Sequence, residues 1–395
     1  MKTRLKKRVH QHSSVKYIYQ EEGRYIGQVA EDLSGPAARE LAELGATDIM
    51  PLFRSIHFKA SPEVLYLINY RSRLLSRVLA PLISFACERT ETIYEQAKTL
   101  PWTRFFPGSQ TFAVSANVSD SEVTHSHYAA LRLKDAVVDY FKENTGRPRP
   151  NVNTTAPDVL LNLHLRKNQA TISLDTSGMP LHKRGYREET VSAPMQETVA
   201  AGILNLTEWD GSRPLYDPLC GSGTLLCEAL MLLTRVPAGI FRDKFGFESL
   251  PDFDETAWQK VRQEADARIR ELPENLIGGS DIDPMAVNAS KTNLMGLHYG
   301  NRVALSLKDF RDLPNLENHL IVTNPPYGIR MSKNHDLMSF YKDLGDFLKQ
   351  KCRGSIAYVY LGDRSYIKYI GLKTTWKKPL HAGGLDGRLL RYDLY

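Results

Sequence analysis

Apolar residues recur at two different spacings along this chain, and the switches between them divide it into units. Alternation over Tyr25 to Val29 predicts a strand, and helical spacing from Pro36 to Leu44 ahead of Gly45 predicts a helix with its stop. A strand at Ser55 to Lys59 and a helix from Pro62 to Leu79 follow, a β-α-β-α order that fits a small α+β unit. The next unit has a strand at Phe112 to Ala116, a helix from Tyr128 to Phe141, a Gly146 to Pro150 linker, and alternating strands at Val159 to Leu165 and Ala170 to Leu174. Beyond residue 190 the pattern becomes that of an α/β sheet. A strand enters at Leu215-Tyr216, a strongly apolar helix runs over Leu225 to Leu233, and further strands are expected at Leu276 to Ser280, Val303 to Leu307 and around Val322. A helix from His335 to Lys349, with Leu337, Phe340, Leu344 and Phe347 on one side, precedes a strand at Ser355 to Leu361 and a hairpin-like close at Arg388 to Leu394. The stretch from Thr234 to Pro273 interrupts this alternation. Its Trp258, Val261, Ala265 and Ile269 form one apolar helical face, as expected of a structural insertion or part of a lid.

The chemistry sits at the ends of the C-terminal strands. Asp217-Pro218-Leu219-Cys220-Gly221-Ser222-Gly223-Thr224 reads as strand, tight glycine turn and helix start, in which Gly221 and Gly223 let a ligand approach backbone that a Cβ would block. Leu226 stands where a dinucleotide fingerprint needs its third small residue, and no Gly-Lys-Ser/Thr follows, so neither common polyphosphate motif is present. Asp217, entering the turn, suits a cationic ligand. The next strand closes in Asp281-Ile282-Asp283, where a carboxylate is placed to grip a ribose diol, and the one after it closes at Asp309-Phe310. The last of the series breaks into Asn324-Pro325-Pro326-Tyr327-Gly328. An exocyclic amine on a base is a poor nucleophile because its lone pair is delocalised into the ring. The Asn324 side-chain oxygen and the Pro325 carbonyl form an acceptor pair able to draw both N–H bonds out of plane. Two prolines without N–H groups hold those acceptors, and Tyr327 offers a stacking face.

Composition narrows the class. The chain has 395 residues, more than one core usually serves. Its four cysteines form no CxxC pair, which fits neither a zinc site nor a disulfide framework and suits a reducing cytoplasm. No apolar run has the length of a membrane span, and the first residues lack the apolar core of a secretory signal. The net charge of +6 is accounted for by residues 1–16, where Lys2, Arg4, Lys6, Lys7, Arg8 and Lys16 face no acid. That segment is expected to be a disordered basic arm, attracted to phosphates, acting as a solvated tail, or serving as an organelle-targeting segment. Arg147, Arg149, Lys167, Lys183 and Arg184 are candidate RNA contacts on the folded body. His125 and His127 have no nearby third ligand, so no metal site is expected there.

The order of glycine turn, three strand-end acids and Asn-Pro-Pro-Tyr resembles the class I S-adenosylmethionine-dependent methyltransferases that act on amines. Leu174 to Arg187, Ala193 to Ala201, Lys134 to Asp139 and Arg147 to Val152 narrow the likeness to bacterial large-subunit rRNA guanine-N2 methyltransferases with an N-terminal THUMP domain. The resemblance covers most of residues 25–395. It implies an α/β fold, a Rossmann-like methyltransferase domain over residues 179–395 with the 234–273 insertion, preceded by an α+β ferredoxin-like segment over 17–59 and a THUMP domain over 60–178. It implies S-adenosyl-L-methionine as cofactor, held by Asp217, Cys220, Gly221, Gly223, Thr224, Asp281, Ile282 and Asp309 with Pro194 beside the pocket. Asn324, Pro325, Pro326 and Tyr327 would hold the target base. The partner implied is ribosomal RNA of the large subunit or its precursor, with no membrane, metal or obligate protein partner. Ile329 stands where the family usually has an acid, and Leu380 to Leu385 lacks its usual asparagine; both bear on which nucleotide is the target. Some relatives carry a second catalytic domain, whereas here one is expected before Tyr395. Adenine N6, a tRNA guanine, and an inactive RNA-binding or assembly protein are the competing readings. The intact acids, glycines and Asn324 weigh against the last.

Overall fold

The computed structural model describes residues 16–145, 149–190, 195–326, 334–381 and 384–395, with residues 334–336 described in backbone only. The expected basic arm thus lies outside the described residues, apart from Lys16.

The N-terminal half comprises α1 (Ile18–Glu22), β1 (Arg24–Val29), α2 (Ser34–Glu43), β2 (Thr47–Leu52), β3 (Ser55–Lys59), α3 (Pro62–Arg71), β4 (Leu75–Ala86), α4 (Thr90–Lys98), β5 (Phe112–Ser119), α5 (Ser126–Thr145), β6 (Val159–Arg166) and β7 (Gln169–Asp175). Its strands form a single sheet in the order β2-β3-β1-β4-β7-β6-β5. The helix expected over Pro62 to Leu79 stops at Arg71, and the rest of that stretch enters a strand of 12 residues. The cause is tertiary. Glu40 on α2 accepts hydrogen bonds from Ser72 Oγ at 2.7 Å, Arg73 N at 2.8 Å and Leu74 N at 3.3 Å, and so pins the chain in a sharp turn at the helix end. The early part of β4 pairs with β1 and the remainder with β7, with a bulge near Pro81. One strand therefore serves both units, and the sheet has no break at residue 59.

The C-terminal half adds α6 (Glu197–Thr207), β8 (Leu215–Asp217), α7 (Thr224–Thr234), α8 (Glu255–Asp266), β9 (Ile277–Asp281), α9 (Pro284–Met295), β10 (Ala304–Leu307), β11 (Leu320–Thr323), α10 (Asn334–Lys351), β12 (Ile356–Leu361), β13 (Trp376–Pro379) and β14 (Arg388–Asp393). The sheet order is β10-β9-β8-β11-β12-β14-β13, with β10 through β12 parallel and β14 antiparallel to both its neighbours. The chain winds outward from β8 to β10 and then jumps back to β11 on the other side. In such sheets that reversal opens a crevice beyond the carboxyl ends of the two central strands. Here those ends carry Asp217 and Asn324.

The insertion is a packing element. Trp258 on α8 is buried and meets Tyr70 and Tyr66 of α3 edge-on at 5.3 and 6.3 Å, and Phe247 at 5.2 Å. Tyr70 also donates its hydroxyl to Asp266 at 2.7 Å. Nearby, Arg73 from the N-terminal half donates to the carbonyls of Met231 and Val236 at the end of α7, at 2.7 and 2.6 Å. These contacts fasten the C-terminal sheet to the N-terminal half on the side of α7.

Candidate active site

Asp217 ends β8 with its side chain buried. Its Oδ1 accepts from Leu219 N at 3.1 Å and from Thr323 Oγ1 at 2.7 Å, so one carboxylate ties the glycine turn to the strand carrying Asn324. Burial pushes the Asp217 carboxyl up to about 7, and the nearby Asp281 adds to the rise. Gly221 and Gly223 have φ of +54° and +79°, the left-handed region that glycine enters without strain. A Cβ at Gly223 would also stand 2.9 Å from Ser290 Oγ. The turn is braced from α9, where Ser290 donates to Gly221 O at 2.7 Å and Asn293 donates to Ser222 O at 2.9 Å. Thr224 opens α7, and its hydroxyl receives Arg187 at 3.1 Å. Cys220 is buried and lines the turn, and desolvation raises its thiol above the ordinary range.

Asp281 ends β9 and closes the turn from the other side, accepting from Gly221 N at 2.9 Å and Asp283 N at 3.0 Å. Each of its oxygens keeps acceptor capacity beyond these single bonds. Ile282 beside it is 63% exposed, an apolar side chain left uncovered next to a polar cradle. Asp309 has a structural role as well: it caps the short 3₁₀ turn at Phe310–Asp312 through Arg311 N at 2.8 Å, and it pairs with the Arg311 guanidinium, which also reaches Asp343 on α10.

At the end of β11, Asn324 Oδ1 is buried and without a hydrogen-bond partner among the described residues. An unsatisfied buried acceptor costs about 1–3 kcal/mol and calls for an explanation. Pro325 is buried and Pro326 half-buried. The Pro326 carbonyl accepts from the Tyr341 hydroxyl at 2.8 Å, and the Tyr341 ring stacks on Tyr366 at 5.1 Å. The motif is thus anchored from α10. Tyr327 and Pro194 lie outside the described residues.

The candidate RNA contacts divide. Lys167 is exposed at the turn between β6 and β7, and Arg149 and Lys183 are exposed, while Arg147 lies outside the described residues. Arg184 corrects the expectation. It is buried, paired with Glu228 at 3.2 Å, and donates to the carbonyls of Leu181 and Arg73, both at 2.6 Å, so its guanidinium is committed inside the protein and cannot meet a phosphate. His125 and His127 are exposed at the head of α5, and no group of potential metal ligands occurs among the described residues. The sequence does not single out Thr323, Tyr341, Ser290 or Asn293. For Tyr341 a signal exists, since a tyrosine interrupts the apolar face of α10; the others are brought to the site only by the fold.

A family model described as the RMKL-like methyltransferase domain matches residues 184–391, and a THUMP domain model matches residues 87–175. The chain belongs to the RMKL-like methyltransferase family. A putative RNA methyltransferase of Synechocystis is 37% identical to this RMKL-like chain over 94% of it and 97% of the relative. The ribosomal RNA large subunit methyltransferase K/L of Syntrophotalea carbinolica is 38% identical over 90% of this chain, which spans 52% of that relative, about half its length. Among solved structures, a putative methyltransferase complexed with SAH superposes with a TM-score of 0.83 at 27% identity, covering 94% of this chain and 98% of that one. The RMKL-like protein is therefore a methyltransferase by fold and family, with a THUMP domain ahead of its catalytic sheet. No helix among the described residues is long and apolar enough to cross a membrane.

Proposed function

We propose that this protein transfers a methyl group from S-adenosylmethionine to the exocyclic N2 of a guanine in large-subunit ribosomal RNA. The observation that carries the reading is the buried Asn324 Oδ1 at the crevice, an acceptor that has no hydrogen-bond partner among the described residues. The cofactor's place is supported by the left-handed Gly221 and Gly223, whose missing side chains leave the backbone approachable, and by Asp217, suited to a cationic ammonium. Asp281 has spare acceptor capacity for ribose hydroxyls, and the exposed Ile282 offers cover for an adenine face. Once bound, S-adenosylmethionine supplies an electrophilic methyl on a sulfonium. Asn324 Oδ1 and the Pro325 carbonyl accept the two amine hydrogens, which localises the nitrogen lone pair, and Tyr327 stacks on the ring. The Tyr341 hydroxyl holds the Pro326 carbonyl and with it the direction of the motif. None of these residues forms a covalent bond with the substrate. Their contribution is alignment, which can be worth several kcal/mol when reacting atoms are held in line.

The rRNA substrate is supported by the names of the K/L relatives, and the THUMP unit, with Lys167 and Arg149 exposed, is the module expected to read RNA shape. A guanine paired in the substrate would have to be flipped out, at a cost of a few kcal/mol offset by stacking in the pocket. Mass spectrometry of rRNA nucleosides from cells with and without the gene tests the reading. Loss of one N2-methylguanine in large-subunit rRNA is the expected result; unchanged N2-methylguanine with loss of N6-methyladenine would replace the target, since Asn-Pro-Pro-Tyr serves either amine.

A further inference from the structure

We propose that Arg311 is a positioning residue for the cofactor, one that aims the Asp309 carboxylate at the amino group of the adenine. The inference rests on the S-adenosylmethionine reading above and adds a residue to it. The place of the base follows from the sheet. β10 lies beside β9, with Leu307 paired to Asp281 and Lys308 N donating to Asp281 O at 3.0 Å. A ribose gripped by Asp281 therefore has its base over the ends of these two strands, which lie about 5 Å apart. Ile282 is exposed at the end of β9, and the half-buried Asp309 follows β10. The amino group is the donor on the outer edge of an adenine, and a carboxylate past the next strand is an acceptor for it.

Asp309 is held at two points. Its Oδ1 accepts from Arg311 N at 2.8 Å, and its Oδ2 accepts from Arg311 Nη1, also at 2.8 Å. The backbone bond is enough to cap the turn but leaves the carboxylate some rotation; the guanidinium bond fixes its plane, with lone pairs to spare on both oxygens. Arg311 is itself held from α10. Its Nε donates to Asp343 Oδ2 at 2.9 Å, and its guanidinium lies 4.8 Å from the Phe310 ring centre. Phe310 is buried edge-on against Phe340 and Phe347 of the same helix at 5.4 and 5.7 Å. Lys351 at the helix end donates to the Arg311 and Leu313 carbonyls, both at 2.7 Å. An exposed ion pair adds little to folding stability, so the worth of the Arg311 bond lies in orientation. Through Tyr341, α10 also holds the Pro326 carbonyl, and one helix thus braces both the Asp309 turn and the motif.

The test is calorimetry of the full chain with S-adenosylhomocysteine and with its counterpart carrying hydrogen in place of the adenine amino group. A hydrogen bond to a charged acceptor is worth about tenfold or more in affinity, so wild type should favour the amino-bearing ligand by at least about tenfold. Arg311→Gln keeps the backbone N–H that caps the turn and removes the guanidinium. Its preference should shrink to about threefold or less, with affinity for the amine-free ligand little changed. A preference equal to or above that of wild type overturns the proposal. So does loss of affinity for both ligands by the same factor, the outcome of a merely structural role. Should Arg311→Gln fail to fold, Asp343→Ala removes the support from α10 and keeps Arg311; its preference should also fall, and a wild-type preference in that variant overturns the proposal. Equal binding of the two ligands by wild type would show that Asp309 takes no amine and refute the proposal with the cofactor reading intact, whereas binding of neither would refute that reading as well.

Discussion

Asp217→Asn should make the cofactor-free protein more stable at neutral pH. The Asp217 carboxyl is buried at the end of β8 and titrates at about 7, against an ordinary value near 3.8 in the unfolded chain. Between those values the folded protein holds a proton that the unfolded chain has released, so stability falls as pH rises through that window and levels off above it. At about 1.4 kcal/mol per pH unit, the loss from this one group amounts to about 4 kcal/mol. Asparagine is nearly isosteric, and its carbonyl oxygen can still accept from Leu219 N and Thr323 Oγ1, the two bonds that tie the turn to β11. Urea unfolding at intervals from pH 4.5 to 8 should therefore give a wild-type midpoint that declines with pH and a flatter Asp217→Asn profile, the two diverging most above pH 7. A cationic ligand beside Asp217 would reverse the penalty. S-adenosylmethionine binding near pH 6 should thus release most of a proton in wild type and none in the variant, as read by calorimetry in buffers of different ionisation enthalpy, and the variant should bind more weakly. Parallel pH profiles for the two proteins would refute the assignment of a buried, proton-holding carboxyl at this position.

Two further outcomes follow from the same geometry. Tyr341→Phe removes the hydroxyl at 2.8 Å from the Pro326 carbonyl, leaving a half-buried acceptor unpaired at a cost of about 1–2 kcal/mol; the single-turnover methylation rate should drop about tenfold with cofactor affinity unchanged, and an unaltered rate would remove Tyr341 from the positioning machinery. Arg184→Ala strands Glu228 as a buried charge and should lower unfolding stability by about 3–5 kcal/mol, whereas Arg184→Met together with Glu228→Leu should recover much of the loss; denaturant melts of the single and double variants check this.

What is legible in the sequence depends on how local the cause is. The glycine turn and its acid, the strand ends at Asp281 and Asp309, and the break after Thr323 are written in adjacent residues, and the fold ties the turn to its neighbours by two hydrogen-bonded pairs, Asp217 with Thr323 and Gly221 with Asp281. The Leu75 to Ala86 strand reads in part as helix because it is central to its sheet. A strand covered on both faces shows a continuous apolar run, which periodicity alone does not separate from a helix. The signal that ends α3 is Glu40, more than thirty residues upstream. Thr47–Leu52 escapes sequence reading for the opposite reason: it is an exposed edge strand containing Pro51, with neither alternation nor an apolar run. Arg184 reads as a surface cation because it stands between Lys183 and Arg187. Only the fold brings Glu228 to it.

The central claim is that Asn324 Oδ1 holds the target amine, and the single-turnover rate of rRNA methylation by Asn324→Ala tests it most directly. With cofactor prebound and enzyme in excess, the variant should methylate at least about tenfold more slowly than wild type, equivalent to about 1.4 kcal/mol of transition-state stabilisation, while its S-adenosylmethionine affinity stays within about twofold. Methylation of rRNA at the wild-type rate by Asn324→Ala would contradict the account.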